Sequence, residues 1–371
     1  MKIKHCEIRW VKIPLVTPFR TSFGTSYDRE TFLVRLVTDD GSEGWAECGA
    51  EPEPLYSSEF LPAAEMVIRA HLLPRLLALG DHLGAARVAT ALAPVKGHLM
   101  AKHVLETALL DAELRSAGMP FARYLGAVKE QVPTGVSVGI YDSIPELLDK
   151  VSGYLEEGYL RIKLKIEPGW DLEPVRVVRE TFGDDVLLQV DANTAYTLSD
   201  APHLSQLDKF DLLLIEQPLP EDDLRGHAEL AKRITTPICL DESITSARDA
   251  ATAIALGAVH IINVKPSRVG GYLEARRIHD VAYANGIPVW CGGMLETGIG
   301  RAPNLALAAL PGFVLPGDTS ASNRYYETDL TAPFVIENGH LSVPTGPGIG
   351  VDVLPDVLEE VTTAISTVPL D

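Results

Sequence analysis

Few features of this sequence point to a redox protein or a membrane protein. The four cysteines, Cys6, Cys48, Cys239 and Cys291, are far apart and form no CxxC pair, which excludes zinc-ribbon and thioredoxin-like sites. We expect them to be reduced and buried. No uncharged apolar run reaches the roughly 18 residues of a membrane span, and the N-terminal stretch has no apolar signal segment. We therefore expect a cytoplasmic protein with no membrane partner.

Positive charge is scarce as well. The chain has 32 lysine and arginine residues against 51 aspartate and glutamate residues, a formal net charge of −19. Because such a field repels polyanions, nucleic acid is excluded as a partner. A Walker A motif and an HExxH motif are absent, and the glycine-rich stretch at 346–350 has no strand–helix context that would indicate a dinucleotide site. The expected partner is a small molecule, and an anionic one would need local positive charge to bind.

The middle of the chain repeats one unit, a short aliphatic run followed by an amphipathic helical stretch. Apolar strands that alternate with helices are typical of a parallel sheet covered on both faces. The runs lie at 132–138, 159–165, 186–191, 211–216, 237–241, 259–265 and 287–293, with a weaker eighth at 313–318. Eight such units predict an α/β protein built on a (β/α)8 TIM barrel.

The flanks of the repeat differ from it. Residues 2–12 and 31–38 are predicted to be antiparallel strands, and helices are predicted at 59–78 and 101–116. A late strand pair is predicted around 335–340, with a turn at Asn338-Gly339. The predicted domains are an α+β capping domain over 1–125, the catalytic barrel over 126–320, and a C-terminal segment over 321–371 that packs back on the capping domain.

Polar residues close the predicted strands two to six at intervals of 24 to 26 residues. Strand two ends with Lys163 and Lys165, and the next four deliver Asp191, Glu216, Asp241 and Lys265. In a β/α barrel these strand ends form one rim, where active sites lie. A single acid at such a position would most simply cap the following helix. Three in succession, flanked by lysines, indicate a site.

Three carboxylates that converge cannot all stay ionised without a counter-ion. Oxygen ligands without histidine or cysteine favour Mg²⁺, with Mn²⁺ or another divalent cation as substitutes. We therefore predict that Asp191, Glu216 and Asp241 bind the metal.

The lysines indicate the reaction. A proton α to a carboxylate is only feebly acidic, so its removal requires stabilisation of the resulting enediolate. Lys165 is a suitable base because burial and a neighbouring lysine lower its pKa. Lys265 arrives from the far side of the carboxylate row. Two lysines on opposite faces of one carbon permit racemisation, and a substrate with a β-leaving group would lose that group instead.

The motifs Lys163-Leu-Lys165, Asp191-Ala-Asn193, Glu216-Gln-Pro218, Asp241-Glu-Ser243 and Lys265 resemble the signature of the muconate lactonizing enzyme branch of the enolase superfamily. Nearly the whole chain is similar to the N-acylamino acid racemase / o-succinylbenzoate synthase family, on stretches such as 18–25, 158–171, 265–277 and 290–302. The resemblance implies the modified barrel of that superfamily with an N-terminal capping domain. It also implies a homo-oligomer that acts on a small carboxylate substrate.

The resemblance implies roles for individual residues. Lys165 and Lys265 would be the acid/base pair, with Lys163 supporting the substrate carboxylate. Backbone N–H groups at the start of the seventh barrel helix would be available to an anionic oxygen. The residues implied to bind substrate or to lie close behind the site are Phe19, Arg20, Phe23, Tyr56, Ser137, Asn193, Arg268, Gly292, Gly293 and Met294.

Several functions stay open at this point. The site suits racemisation of N-succinylamino acids and also dehydration to o-succinylbenzoate for menaquinone synthesis. A dipeptide epimerase is disfavoured because the eighth run ends in Asp318-Thr319-Ser320 rather than Asp-x-Asp. A muconate cycloisomerase-like enzyme and a metal- and carboxylate-binding barrel without turnover are the remaining candidates.

Two further features bear on the choice between these functions. His279-Asp280, which resembles the dyad of mandelate racemases, is predicted to be a surface pair on a helix. The loop 49–54 carries Glu51 and Glu53 where the family is more apolar.

Overall fold

The computed structural model describes residues 1–370, and its N-terminal part is an antiparallel sheet. Strand β1 (Ile3–Thr21) pairs with β2 (Gly24–Thr38), and β2 pairs with β3 (Glu43–Glu47). The hairpin is longer than the predicted strands at 2–12 and 31–38. Its extra length carries the end of β1 over the barrel, where Ile140 N–H bonds to Arg20 O at 3.0 Å.

Five α-helices follow this sheet in the chain. They are α1 (Leu61–Val67), α2 (Leu73–Leu77), α3 (Ala85–Leu92), α4 (Leu99–Ser116) and α5 (Phe121–Leu125). The single helix predicted at 59–78 is interrupted by a π-helical turn at Ile68–Leu72, just before Pro74, which has no N–H to continue the α-helical ladder. Helix α4 was predicted over residues 101–116, and it is buried on nearly every side.

The barrel strands follow in chain order. A short strand, β4 (Gln131–Pro133), precedes them; the barrel strands are β5 (Gly135–Val138), β6 (Arg161–Lys165), β7 (Leu187–Asp191), β8 (Ile215–Glu216), β9 (Ile238–Leu240), β10 (Ile261–Val264) and β11 (Val289–Cys291). Strands β5 to β11 form one parallel sheet in that order. This order confirms seven of the predicted runs, and it places all their carboxyl ends on one rim.

Helices separate these strands. They are α6 (Ile144–Glu156), α7 (Leu172–Phe182), α8 (Ala201–Leu204), α9 (Leu224–Leu230), α10 (Ala247–Leu256), α11 (Pro266–Val269), α12 (Tyr272–Ala284) and α13 (Gly298–Ala308). Local sequence sets their ends. The hydroxyls of Ser143 and Ser246 accept backbone N–H bonds at the starts of α6 and α10, and Gly257 ends α10 with φ of 67°.

The eighth run, 313–318, closes the sheet without forming a regular strand. Phe313 bridges to Val289 on β11, and Gly317 bridges to Thr134 next to β5. Asp318 N–H also bonds to Cys291 O at 2.8 Å. Pro316 has no N–H to donate, which accounts for isolated bridges in place of a continuous ladder. The predicted eighth position is therefore occupied, and Asp318 reaches the rim.

The C-terminal segment joins both parts of the fold. Strand β12 (His340–Ser342) pairs with β4 below the barrel, and Asn338-Gly339 turns back to it as predicted. After α14 (Pro355–Val361), strand β13 (Thr362–Thr367) pairs with β1 of the N-terminal sheet. The three-part division at 125 and 320 stays a proposal. The described part of the last segment, residues 321–370, contributes one strand to each neighbouring part.

Buried polar residues tie the N-terminal sheet to the barrel. Arg29 on β2 donates to Glu47 Oε1 on β3 through Nε and Nη2, both at 3.1 Å. The other oxygen of Glu47 accepts the N–H and the hydroxyl of Thr297, which precedes α13, at 2.9 and 2.7 Å. Both side chains of the ion pair are 1% exposed. A charged pair buried this deeply holds the two parts in one register.

Three predictions about buried and apolar residues can be compared directly with the structure. All four cysteines are free and buried, as predicted. Among residues 1–370, every helix is either too short or too polar to pass through a lipid bilayer. The surface pair His279-Asp280 is a wrong prediction, because His279 is buried, accepts Gly312 N–H at 3.0 Å and stacks on Phe313.

Gly44 offers a test of the packing between β3 and α4. A Cβ at this position would overlap Ala108 O and come within 2.7 Å of Ala112 N, both in the backbone of α4. We expect Gly44→Ala to lower the free energy of unfolding by roughly 3 kcal/mol, at the upper end of the cost of overpacking. Urea unfolding measures this change.

Gly153 in α6 is the matched control, since a Cβ there meets nothing within 4 Å. Gly153→Ala should be neutral or stabilising by up to about 1 kcal/mol, because alanine has the higher helix propensity. Equal stability of the two variants would contradict the packing described here.

Candidate active site

Three carboxylates lie side by side at the ends of adjacent strands. Asp191 ends β7 and is in register with Glu216, which ends β8, and Asp241 follows β9 directly. All three residues are at most 1% exposed. Parallel pairing of consecutive strands brings them together, which the spacing in the sequence predicted.

Lys163 lies between two of these carboxylates. Its Nζ is 3.3 Å from Asp191 Oδ2, 3.1 Å from Glu216 Oε2 and 2.6 Å from Asp318 Oδ2. Burial by itself would lower the pKa of Lys163, but Asp318, Glu216 and Asp191 together raise it well above its usual value. The ammonium therefore acts as a fixed positive charge.

Lys165 and Lys265 line the same cavity and come from opposite ends of the carboxylate row. Lys165 Nζ lies 2.6 Å from both Asp191 Oδ2 and Asn193 Oδ1. Lys265 Nζ lies 2.8 Å from Asp241 Oδ2 and 3.1 Å from Tyr56 Oη. Three strands, β7 to β9, separate the strand of one lysine from the strand that ends at the other.

The two lysines differ in their electrostatics. Burial lowers the pKa of Lys165, and the neighbouring Lys163 adds to that shift, as the sequence predicted. Burial also acts to lower the pKa of Lys265, but contact with Tyr56 and the carboxylates of Glu216 and Glu242 raises it overall. The pKa of Lys165 is therefore shifted down and that of Lys265 is shifted up, so Lys165 holds its proton less strongly than Lys265 does.

The cap closes the site with aromatic side chains. A cavity of about 60 Å³ lies between Phe19, Phe23 and Tyr56 on the cap side and the two lysines on the barrel side. Predicted site residues that also line it are Asn193, Gly293 and Met294. Unpredicted lining residues are Thr21, Ser26, Glu51 and Leu295. Glu53 lies outside this cavity, in a wider hollow of about 320 Å³ at its mouth.

Three other predicted residues lie away from the cavity lining. Arg20 turns outward and pairs with the exposed Asp142 and the half-buried Glu167, at 3.0 and 3.3 Å. Ser137 is buried next to Lys163 across the β5–β6 pair. Gly292 lies beneath the site, against Asn263 and Lys265.

Arg268 also lies behind the cavity. Its guanidinium forms an ion pair with Asp241 Oδ1 and donates to Ile244 O and Asn263 O at 3.0 and 2.8 Å. Arg268 therefore orients Asp241 from behind.

The expected anion site at the start of α13 is a wrong prediction. Met294 N–H bonds to Glu296 Oε2 at 2.9 Å, and Gly298 N–H bonds to Asp329 Oδ1 at 2.8 Å. Thr297 N–H is taken by Glu47. The protein's own carboxylates occupy the donors that the sequence left free for a ligand.

Two acids in the site were missed as site residues in the sequence. Asp318 pairs with Lys163 and also with Arg161, at 2.8 Å from Nη1. Glu242 accepts from Asn193 Nδ2 at 3.0 Å, while its Oε2 has no hydrogen-bond partner. Burial, with Asp191 nearby, raises the pKa of Glu242 to about 7. Asp318 ends the eighth run and Glu242 follows Asp241. These positions at strand ends could have identified both acids as site residues.

The carboxylate set was also tested against a divalent metal ion. As the side chains lie, no three His, Cys, Asp or Glu side chains in residues 1–370 converge closely enough to hold an ion by themselves. Their oxygens are bonded instead to Lys163, Lys165 and Lys265. The possible ligands are all buried carboxylate oxygens that already pair with cationic groups. Such a set fits a hard divalent cation once the lysine ammonium groups move away from the carboxylates.

Known proteins resemble this chain over most of its length. Residues 5–126 match the family described as "Mandelate racemase / muconate lactonizing enzyme, N-terminal domain", and residues 146–357 match "Enolase C-terminal domain-like". The chain is 67% identical to an N-succinylamino acid racemase of Amycolatopsis sp over 364 residues, 98% of each chain. It is 46% identical to an o-succinylbenzoate synthase of Geobacillus kaustophilus, over 95% of this chain and 94% of that protein.

A solved structure shares the fold. The crystal structure of an enolase superfamily member from Listeria innocua superposes with a TM-score of 0.95 at 38% identity, and the match covers all of both chains.

Gly292→Ala tests how closely the backbone after β11 packs against Lys265. A Cβ at Gly292 would overlap the amide oxygen of Asn263 and come within 2.7 Å of Lys265 Cε. Since small displacements of a catalytic group cost on the order of 100-fold in rate, we expect a loss of that size in kcat, with the fold retained. Circular dichroism checks the fold, and Gly153→Ala is again the control. Full activity in Gly292→Ala would contradict this packing.

Proposed function

The chain belongs to the mandelate racemase / muconate lactonizing enzyme family of the enolase superfamily, and from that premise we propose that it racemises N-acylamino acids, N-succinylamino acids among them. It is an enzyme of a superfamily that acts on small carboxylate substrates and typically uses a divalent metal ion. The observation that carries the proposal is that Lys165 and Lys265 line one cavity and come from strands on either side of the three carboxylates.

Mg²⁺ is the metal that we propose, with Asp191, Glu216 and Asp241 as its ligands. Carboxylate oxygens suit this hard cation, and Mn²⁺ could replace it. When bound, the ion would supply positive charge that stabilises the enediolate of the substrate. To admit it, Lys163, Lys165 and Lys265 must release the carboxylates that they now contact.

The two lysines perform the proton transfers. For one enantiomer, Lys165 Nζ takes the α-proton, and Lys265 Nζ returns a proton to the opposite face of the carbon. The other enantiomer reverses these roles. Each lysine alternates between ammonium and amine, so a full turnover exchanges the α-proton with solvent.

Neighbouring residues prepare the lysines for this task. Asn193 and Asp191 orient Lys165, and Tyr56 and Asp241 orient Lys265. Lys163 lies beside them as a fixed cation that would bind the substrate carboxylate, with Asp318 holding it in place. Phe19 and Phe23 cover the site and exclude water, which strengthens these charge interactions.

The second candidate is dehydration to o-succinylbenzoate. A relative at 46% identity carries the name o-succinylbenzoate synthase, which favours this reaction specifically. The first step is the same proton removal. The enediolate then expels a β-hydroxyl group, which leaves as water after protonation by a lysine. The same two lysines serve both reactions, and an enzyme that performs both is consistent with this site.

A dipeptide epimerase and a binding protein without turnover fit the site less well. Dipeptide epimerases resemble this chain, but Asp318 is bonded to Lys163 and Arg161 and so is not available to a substrate ammonium. A binding protein without turnover has no use for a lysine on each side. The homo-oligomer implied by the resemblance stays a prediction.

Exchange of the α-proton tests the proposed function. In D₂O with Mg²⁺, the protein should incorporate deuterium at the α-carbon of N-succinyl and N-acetyl amino acids of both configurations, as followed by NMR. Chelation of the metal should stop exchange, and added Mg²⁺ should restore it, because the enediolate loses its stabilising charge. A protein that exchanges none of these substrates under any metal condition would not be a racemase.

Single lysine variants test the two-base assignment. Lys165→Ala and Lys265→Ala should each slow racemisation by roughly 10²- to 10⁴-fold, the usual contribution of a general base or acid. Each variant should keep exchange with the one enantiomer whose α-proton faces the remaining lysine. Lys232→Ala, on an exposed pair with Glu229, is the control and should be fully active. Rapid racemisation by either variant would contradict the assignment.

A further inference from the structure

Arg324 is a buried cation without an acidic partner. It lies in the loop after the eighth run and is 4% exposed. Among residues 1–370, its guanidinium donates to Ser137 O from Nη2 at 2.8 Å, while Nε has no partner. No Asp or Glu side chain of the described chain forms an ion pair with it. A guanidinium has five N–H donors, so most of its hydrogen-bonding capacity is unused.

Aromatic rings surround this guanidinium. Its Cζ lies 5.6 Å from the ring centre of Phe19, 5.0 Å from Tyr154 and 4.9 Å from Tyr325. Cation–π contacts stabilise the charge but accept no directed hydrogen bond from Nε in this arrangement. The charge is held in place, and its donors remain free to bind an anion.

Two other buried arginines, Arg179 and Arg161, are more fully paired, whereas Arg301, which also has an Nε without a partner, donates to Ser320 O and Glu296 O. Arg179 donates to four backbone carbonyl oxygens at 2.9 to 3.0 Å. Arg161 pairs with Asp318. Burial of a charge is costly unless it is paired and hydrogen-bonded, so the poor pairing of Arg324 indicates a partner supplied from outside the chain.

The position of Arg324 connects it to the active site. Ser137, to which it bonds, is in register with Lys163 on the neighbouring strand, and the Ser137 hydroxyl is also buried without a partner. Phe19, whose ring it contacts, lines the catalytic cavity. Only the side chain of Phe19 therefore separates Arg324 from the catalytic cavity, and Arg324 lies between the end of β5 and the cap.

Space beyond this wall is sufficient for part of a substrate. The catalytic cavity of about 60 Å³ is too small for an N-acylamino acid. On the other side of Arg324 lies a hollow of about 240 Å³, between Val16-Thr17 of β1 and helix α6. A shift of Phe19 would join the two spaces and leave the guanidinium at their junction. Asp149 and Glu157 line only the outer hollow.

On the basis of the proposed function, we propose that Arg324 binds the terminal carboxylate of the substrate's N-acyl arm, with the Ser137 hydroxyl as a second donor. An arm that ends in a carboxylate, such as succinyl, satisfies the free N–H groups with charge-assisted hydrogen bonds. An N-acetyl group ends before reaching them. Arg324 therefore selects dicarboxylic acyl groups.

Paired substrates test this assignment. We expect Arg324→Met to lower kcat/KM for the N-succinyl derivative of an amino acid by roughly 10- to 100-fold, mainly through KM, since one charged hydrogen-bonding partner is lost. For the N-acetyl derivative of the same amino acid, kcat/KM should change little. Arg324→Lys, which keeps the charge, should recover part of the preference for the succinyl group.

Two controls separate binding from structure. Arg179→Met removes a buried, fully bonded arginine on α7 and should not alter the ratio between the two substrates. Thermal melting identifies loss of stability in either variant. If Arg324→Met lowers turnover of both substrates in parallel, Arg324 is structural and the proposal is wrong.

Inhibition by free succinate tests whether Arg324 binds the carboxylate of the substrate or a separate free anion. It should inhibit the wild type in competition with the N-succinyl substrate, and more weakly after Arg324→Met. Non-competitive inhibition would assign the guanidinium to a separate anion in the outer hollow and overturn the proposal. Absence of turnover with both substrates in the wild type would instead refute the proposed function, and this inference with it.

Discussion

The pairing of buried carboxylates with buried cations at the barrel mouth is the constraint on which the rest of the site depends. The acids are Asp191, Glu216, Asp241 and Asp318, and the cations paired with them are Arg161, Lys163, Lys165, Lys265 and Arg268. Removal of one member would leave an unpaired buried charge, at a cost of about 3–5 kcal/mol. Consecutive strand ends are therefore fixed relative to one another before any ligand arrives, and a divalent ion must enter by displacing ammonium groups from the carboxylates.

The cap depends on a second buried ion pair. Arg29 holds Glu47, and Glu47 holds the start of α13 through Thr297. This arrangement places the end of β1 and the loop that carries Tyr56 over the strand ends. It also consumes backbone donors that would otherwise attract an anion. In our proposal, recognition of the substrate's charged groups consequently falls to two side chains, Lys163 beside the carboxylates and Arg324 at the far wall.

The residues proposed to transfer protons and the residues proposed to select the substrate lie on different parts of the fold. The two lysines and the carboxylates lie on the barrel strands, where packing on both faces keeps them rigid. Phe19, Phe23 and Glu51 belong to the cap and to its loop, which can vary without disturbing proton transfer. One rim can therefore serve racemisation and dehydration, because both begin with the same proton removal and diverge according to the substrate.

The amino-acid sequence alone was sufficient to predict the order of the barrel strands. It also predicted that Lys165, Asp191, Glu216, Asp241 and Lys265 lie together at one rim, while their roles stay a proposal. Strand periodicity and regular spacing are local properties, and parallel pairing converts them directly into a shared rim. The outward turn of Arg20, the burial of His279, the occupied donors before α13 and the isolation of Arg324 were decided only by the tertiary structure. Each of these features depends on contacts between residues that are far apart in the chain. A pattern in the linear sequence carries no information about such contacts.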